Sequence, residues 1–327
     1  MAHRTERAMA TIIAKKRNAR RSQSANGTAW EFRRAGALRV LEVPVLAELD
    51  WLVHGFSTRS GGASELESFG DGRKSVEKVL NLSFSDWDKR ERVIANRKKF
   101  SNAIGARKMR LVTMRQIHSD IVHRVDLTAR GAAEEPRKAD ALITCERGVL
   151  LVVQTADCIP ILLVDTKRSA VAAIHAGWRG TVRRLTAKTL GRMQMEFGTR
   201  PEDVIAALGP GIGRCCYEVG PDVAKEFHAQ FPRSREWFDG PFDSLVSDGN
   251  DPHWLPWLSR RPPGHPLPPP TAHLDLIAAN RAILTAAGIP AARVFWSDFC
   301  TGCRLDRFFS YRRERRTGRQ MAAIGIR

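Results

Sequence analysis

No stretch of about eighteen uninterrupted apolar residues occurs in the 327-residue sequence, so nothing reads as a membrane span. The opening residues lack the charged-then-apolar pattern of a secretory leader. No internal repeat is present, which sets aside solenoid and propeller architectures. The glycine cluster Gly209-Pro-Gly-Ile-Gly213 lacks the spacing of a P-loop or a dinucleotide fingerprint, which argues against a nucleotide cofactor. His-x-His pairs are missing, and an aromatic-rich basic platform for stacking bases is missing too.

What is present is length and positive charge. The chain can bury a large core and suits one big domain or two modest ones. The formal net charge is +18. Charge alone says little about partners, and much of the excess is local. Arg4, Arg7, Lys15, Lys16, Arg17, Arg20 and Arg21 stand near the start, and Arg312, Arg313, Arg315, Arg316, Arg319 and Arg327 near the end. A solvated basic surface with basic tails is therefore preferred over a nucleic-acid-binding surface. Residues 1–28 are expected to form a disordered basic arm, either a transit-like segment or an extension ahead of Met9. Six cysteines include the adjacent pair Cys215-Cys216, which is awkward for a disulfide framework. Free or metal-bound thiols in a reducing cytoplasm are the simpler expectation.

From about residue 29 the pattern is globular and the expected domain runs to 327. Strands are predicted over Leu38–Val43, Trp51–Phe56, Gly148–Val153, Ile159–Val164, Ala170–Ile174, Val294–Trp296 and Met321–Ile326. Helices are predicted over Trp87–Ile104, over Thr181–Phe197 with Thr181 as N-cap, and over Leu274–Ala287 ending at Gly288. Recurrent Gly and Pro make residues 240–272 a long loop or insertion. The apolar central runs and flanking helices are those of one α+β domain.

Strand geometry points to a metal site. If the runs on either side of Thr166-Lys-Arg-Ser169 pair as a hairpin, Leu163 lies near Ala172 and Ile161 near Ile174. That register carries Cys158 and His175 to one open end. A thiol and an imidazole there are half of a zinc site. His118, at the junction of Leu111-Val112 and Ile121-Val122, is the candidate third ligand, while His54, His123, His228, His253, His265 and His273 compete for that role. Three protein ligands leave a tetrahedral zinc one open position, where the pKa of water is lowered towards neutrality. The same donors suit copper, so Zn²⁺ is expected with Cu²⁺ as the alternative. Each of the three residues also has an ordinary packing or hydrogen-bonding explanation.

The motifs around these residues resemble one family. His54-Gly-Phe-Ser-Thr-Arg-Ser-Gly-Gly62, Asn81-Leu82, Gln116-Ile-His118, Ala139-Asp-Ala-Leu-Ile-Thr144, Thr155-Ala-Asp-Cys-Ile-Pro160 and His175-Ala-Gly-Trp-Arg-Gly180 occur in family order. Leu208-Gly-Pro-Gly-Ile-Gly213, Cys216-Tyr-Glu-Val219 and Phe308-Phe-Ser-Tyr-Arg-Arg313 follow. From about residue 50 to the end the chain is similar to the polyphenol oxidase or laccase-domain (YfiH-type) family, now associated with purine nucleoside phosphorylase and adenosine deaminase activity. The resemblance implies an α+β fold, a layered sandwich with central mixed β-sheets and outer helices in a single domain, with which the apolar central strands agree, and it implies that His118, Cys158 and His175 bind zinc. Departures are Ser119 where glycine is common after the metal histidine, Ser83-Phe-Ser-Asp-Trp87 after Asn81-Leu82, and the long segment 240–272. They bear on substrate preference more than on metal binding.

The resulting expectation is a metal-dependent purine nucleoside phosphorylase acting on adenosine, inosine or methylthioadenosine with phosphate, and also deaminating adenosine. Arg59 or Arg179 would clamp phosphate through bidentate hydrogen bonds, helped by the helix N-terminus near Thr181, unless each pairs with a structural carboxylate. Asp157 would carry protons or orient a metal-bound histidine, unless it only caps a turn. Asn81, Gly209 and Arg312, inside the matched segments, are expected at the substrate. Cys300-Thr-Gly-Cys303 is read as structural or incidental, since no second pair has zinc-ribbon spacing. A copper-dependent phenol oxidase is the second reading, poorly served by nine histidines without a His-x-His pair. A basic nucleic-acid binder with a structural zinc is the third.

Overall fold

Near-continuous apolar runs mark strands buried on both faces, and here they build two six-stranded sheets stacked face to face. The computed structural model describes residues 30–70, 73–126, 137–247 and 271–327. The basic arm and most of the Pro-rich segment (residues 248–270) lie outside the described residues. The sheet strands are β1 (Glu31–Ala35), β2 (Leu38–Glu42), β3 (Leu52–Ser57), β4 (Arg110–Val112), β5 (Val122–Arg124), β6 (Ala141–Thr144), β7 (Val149–Thr155), β8 (Ile159–Asp165), β9 (Ala170–Ala176), β10 (Val204–Leu208), β11 (Val294–Trp296) and β12 (Gln320–Ile326). One sheet runs β1-β2-β3-β12-β7-β4 and the other β11-β10-β8-β9-β6-β5. Both are mixed, because β4 with β7, β5 with β6 and β10 with β11 pair in parallel while the remaining neighbours are antiparallel.

Alternation along each strand assigns the layers. Leu162, Val164, Val171 and Ala173 of one sheet face Leu151, Val153, Ala322 and Ile324 of the other. The opposite face, with Ile161, Leu163, Ala172 and Ile174, is covered by the helices Leu185–Phe197 and Leu276–Ala286. Leu150, Val152, Met321 and Ala323 on the outer face of the first sheet lie under Phe100 and Ile104 at the end of the helix Arg90–Ala103. The molecule is thus an α+β sandwich with mixed sheets inside and helices outside.

The β8–β9 register pairs Leu163 with Ala172 and Ile161 with Ile174, as the hairpin argument requires. The predicted helix from Thr181 is corrected. Arg184 adopts a left-handed conformation (φ 58°), which splits the segment into Trp178–Val182 and Leu185–Phe197. Thr181 is inside the first piece, where its hydroxyl donates to the Gly177 carbonyl, so it caps nothing.

His54 is removed from the list of ligands by its surroundings. It is buried in β3, and its Nε2 accepts the Val43 N–H at 3.0 Å, which needs an unprotonated nitrogen. Burial pulls its pKa down to about 4, opposed only in part by Glu42. Below the unfolded-chain value near 6.5 the unfolded state takes a proton that the folded state refuses, so stability falls as pH drops from there towards 4. A loss of about 2 kcal/mol from this group by pH 5 is expected. Urea midpoints at pH 7 and pH 5 should differ less in His54→Gln than in the wild type; equal differences would refute the assignment.

Candidate active site

The open end of the β8–β9 hairpin carries the site. Cys158 precedes β8, and His175 occupies the last turn of pairing in β9, opposite Pro160. His118 arrives from the turn between β4 and β5, where it adopts φ 57°. Histidine tolerates that left-handed region better than bulky apolar residues do. The candidate donor atoms of His118, Cys158 and His175 lie within 4.8 Å of one another, with Cys158 Sγ 3.9 Å from His118 Nε2. Zinc–ligand lengths imply a nitrogen–sulfur separation of about 3.6 Å in a tetrahedral site, so the donor set fits a single ion. Gly177 is required for this approach, because a Cβ there would stand 2.9 Å from Cys158 Sγ.

A residue with no assigned role in the sequence reading organises the cluster. Asp140, fully buried at the start of β6, accepts His175 Nδ1 at 2.8 Å. It also accepts the backbone N–H groups of Ile117, His118 and Ser119 and the Ser119 hydroxyl. This carboxylate therefore fixes the left-handed turn that presents His118 and leaves His175 Nε2 free to face the metal position. Burial works against the charged Asp140 carboxylate, but His175 and Ser119 outweigh it and hold it below its ordinary range. Burial likewise opposes the Cys158 thiolate, and the His175 and His118 rings outweigh it, so the thiolate is favoured.

The cluster opens into a cavity of about 990 Å³. Arg115, Arg179, Arg312, Arg315 and Arg319 line it, together with Trp178, Tyr217 and Tyr311. Burial pushes the Tyr217 hydroxyl up, which keeps it a donor at neutral pH. Arg312, Arg315 and Arg319 belong to the C-terminal charge run that reads as a solvated tail; Arg312, expected at the substrate from its motif, does line the cavity. The chain instead folds three of those six charges towards the cavity beside the triad.

The other expected site residues divide. Asp157 and Arg179 line the cavity. Asp157 does not orient a histidine of the triad; Asp140 orients His175. The Oδ1 of Asp157 accepts the Thr301 hydroxyl at 2.7 Å and its Oδ2 accepts the Arg312 N–H at 2.7 Å, in a strained backbone conformation of φ 95°. Arg179 stacks on Trp178 inside a five-residue helix. Arg59 is elsewhere: it is 6% exposed, pairs with Glu77 and Glu314 and lies over Phe309. The structural-carboxylate alternative describes Arg59, and the cavity lining does not include it. Asn81 is buried outside the cavity, with its amide donating to Asp88 and the Ser83 carbonyl and its oxygen accepting Arg319 N–H. Gly209 packs against Phe56, whose ring a Cβ would meet at 2.3 Å, so its smallness serves the core.

Among the described residues, two groups of three or more metal-ligating side chains occur: this triad and a cluster of four cysteines. Only one contains histidine, which leaves no described set of imidazoles for a multinuclear copper centre.

Comparison with known proteins places the chain among relatives. A purine nucleoside phosphorylase of Bacteroides thetaiotaomicron is 33% identical over 294 residues, spanning 88% of this chain and 96% of that protein. A protein named adenosine deaminase RL5, from an unknown prokaryotic organism, is 36% identical over 267 residues, spanning 80% and 88%. The crystal structure of YlmD from Geobacillus stearothermophilus superposes with a TM-score of 0.71 at 30% identity, covering 91% of this chain and all of that one. Residues 53–327 match the family described as multi-copper polyphenol oxidoreductase laccase, and the chain belongs to that family.

Proposed function

We propose that this chain is a purine nucleoside phosphorylase that also deaminates adenosine, working around one zinc ion held by His118, Cys158 and His175. The observation that carries the reading is the convergence of an arginine-rich wall and aromatic side chains on that triad, in a cavity of the size small-molecule sites have. Copper is the alternative occupant, since the same donors accept it. When bound, the metal would supply Lewis acidity at the cavity floor. Relatives bearing both activity names support the assignment.

In phosphorolysis a phosphate oxygen forms a bond to the anomeric carbon while the glycosidic carbon–nitrogen bond breaks and the purine takes a proton. Arg179 and Arg312 face the cavity with guanidinium groups suited to an oxyanion, and Arg115, Arg315 and Arg319 add positive potential around them. Tyr217, with Arg312 over its ring, adds an aromatic surface for the purine. Asp157, anchored by Thr301 and the Arg312 N–H, keeps lone pairs available and is positioned to exchange a proton with the base. Deamination replaces the purine amino group by water and releases ammonia, a step that needs no phosphate. Six free cysteines suit a reducing compartment, and we assign the chain to the cytoplasm.

Purified protein incubated with adenosine should release adenine and ribose 1-phosphate only when phosphate is present. Inosine should form with or without phosphate. Absence of all three products, or oxygen uptake with a phenol in their place, would reject the reading.

A further inference from the structure

Two loops beside the cavity bring four thiols to one point. Cys215 and Cys216 follow the glycine-rich segment after β10, and Cys300 and Cys303 lie in the loop after β11. The loops are tied by a parallel bridge between Gly211 and Cys300 and by the Thr301 N–H donating to the Gly211 carbonyl at 2.9 Å. All four sulfurs lie within 4.8 Å of one another, and Cys303 Sγ is 3.4 Å from both Cys215 Sγ and Cys216 Sγ. A disulfide holds its sulfurs at about 2.05 Å and joins only two of them. Four thiolates around one zinc stand about 3.8 Å apart, given a zinc–sulfur length of about 2.3 Å. The observed spacing is that of a shared ion.

The surroundings are built for sulfur. The Gly213 N–H donates to Cys300 Sγ at 3.2 Å, a bond of the kind that stabilises a liganding thiolate. Gly213 and Gly302 leave the room: a Cβ on Gly213 would meet Cys300 Cβ at 3.1 Å, and one on Gly302 would meet Cys216 Sγ at 3.1 Å.

We propose that Cys215, Cys216, Cys300 and Cys303 form a second metal site, a closed tetrathiolate that takes zinc and fastens the two loops together. With four protein ligands no coordination position is left for substrate, so this site is structural. Its position gives it a task. The first loop continues into Tyr217, which lines the cavity, and the second contains Thr301, whose hydroxyl holds Asp157.

The test counts metal per chain by mass spectrometry of the full-length protein, purified anaerobically under reducing conditions after expression with zinc. The wild type is expected to carry about two equivalents, and Cys303→Ser and His118→Ala about one each. Cobalt substitution separates the sites: the intense sulfur-to-metal charge-transfer band should largely vanish in Cys303→Ser and largely persist in His118→Ala. A wild type without metal, or with one equivalent that Cys303→Ser does not remove, overturns the proposal. So does a count that falls in His118→Ala but not in Cys303→Ser, or a protein lighter by two hydrogens with Cys303 disulfide-linked to Cys215 or Cys216. None of these readouts involves nucleoside turnover, so this proposal and the proposed activity can fail separately.

Discussion

His175→Ala is expected to lower adenosine turnover, with or without phosphate, by roughly 10³-fold or more and to abolish metal retention at the triad. Two donors hold an ion far more weakly than the three arranged to share it, and among the described residues no fourth candidate donor belongs to this cluster. His175 is 4% exposed in the fully buried strand β9, and its Nδ1 is already engaged by Asp140, so Nε2 is its one contribution to the metal position. The substitution also leaves the Asp140 carboxylate short of a buried partner, which costs stability. Turnover, bound metal and the urea midpoint should therefore be measured on one preparation. Cys158→Ser provides the complement, because its oxygen is a poorer zinc ligand than a thiolate and its loss strands no buried carboxylate. Undiminished turnover in both variants, at wild-type metal content, would refute a role for the triad in the reaction.

The parts of this architecture that the sequence makes legible depend on local periodicity. The runs at 159–164 and 170–174 with a four-residue polar connection specify a hairpin, and its register alone brings Cys158 beside His175. Its place between two apolar segments makes His118 a candidate ligand, but only the family resemblance separates it from the six competing histidines, since its approach depends on a left-handed turn that apolar patterning does not encode. Asp140 sits inside a quoted motif, yet its role arises from backbone N–H groups more than twenty positions away. Charge runs mislead for the opposite reason. Arg315 and Arg319 read as a solvated tail because a linear run carries no information about the cavity beneath it, and Arg312 is expected at the substrate only through its family motif, whereas Arg59 reads as an anion clamp because its partners Glu77 and Glu314 are distant in sequence. The same distance separates the two cysteine pairs. Zinc-ribbon spacing fails for them because the fold, by pairing β10 with β11, supplies the proximity that a second closely spaced pair would otherwise provide.

Asp140→Ala should be the most damaging single change outside the ligands themselves. Five donors converge on this carboxylate: three successive backbone N–H groups, a hydroxyl and the His175 ring. It acts as the anion in a concave nest of N–H groups, a task usually met by a bound ligand. Its removal strands those donors in a site where water has little access, at a cost of about 3–5 kcal/mol. It also frees the His118 turn and lets the His175 ring rotate, which should weaken the metal by about 10- to 100-fold. Asp140→Asn separates shape from charge. Oδ1 accepts from the His118 N–H and from His175, while Oδ2 accepts from Ile117 and Ser119, so either orientation of the amide turns its NH₂ against at least two donors. The isosteric variant should therefore retain the fold better than alanine yet still lose metal, and a Ser119→Ala variant, which removes one donor only, should lose far less. Metal affinity by competition with a chelator, read beside the urea midpoint, checks the ordering. Wild-type affinity in Asp140→Asn would mean that the histidines are held in place by their strands and turn alone.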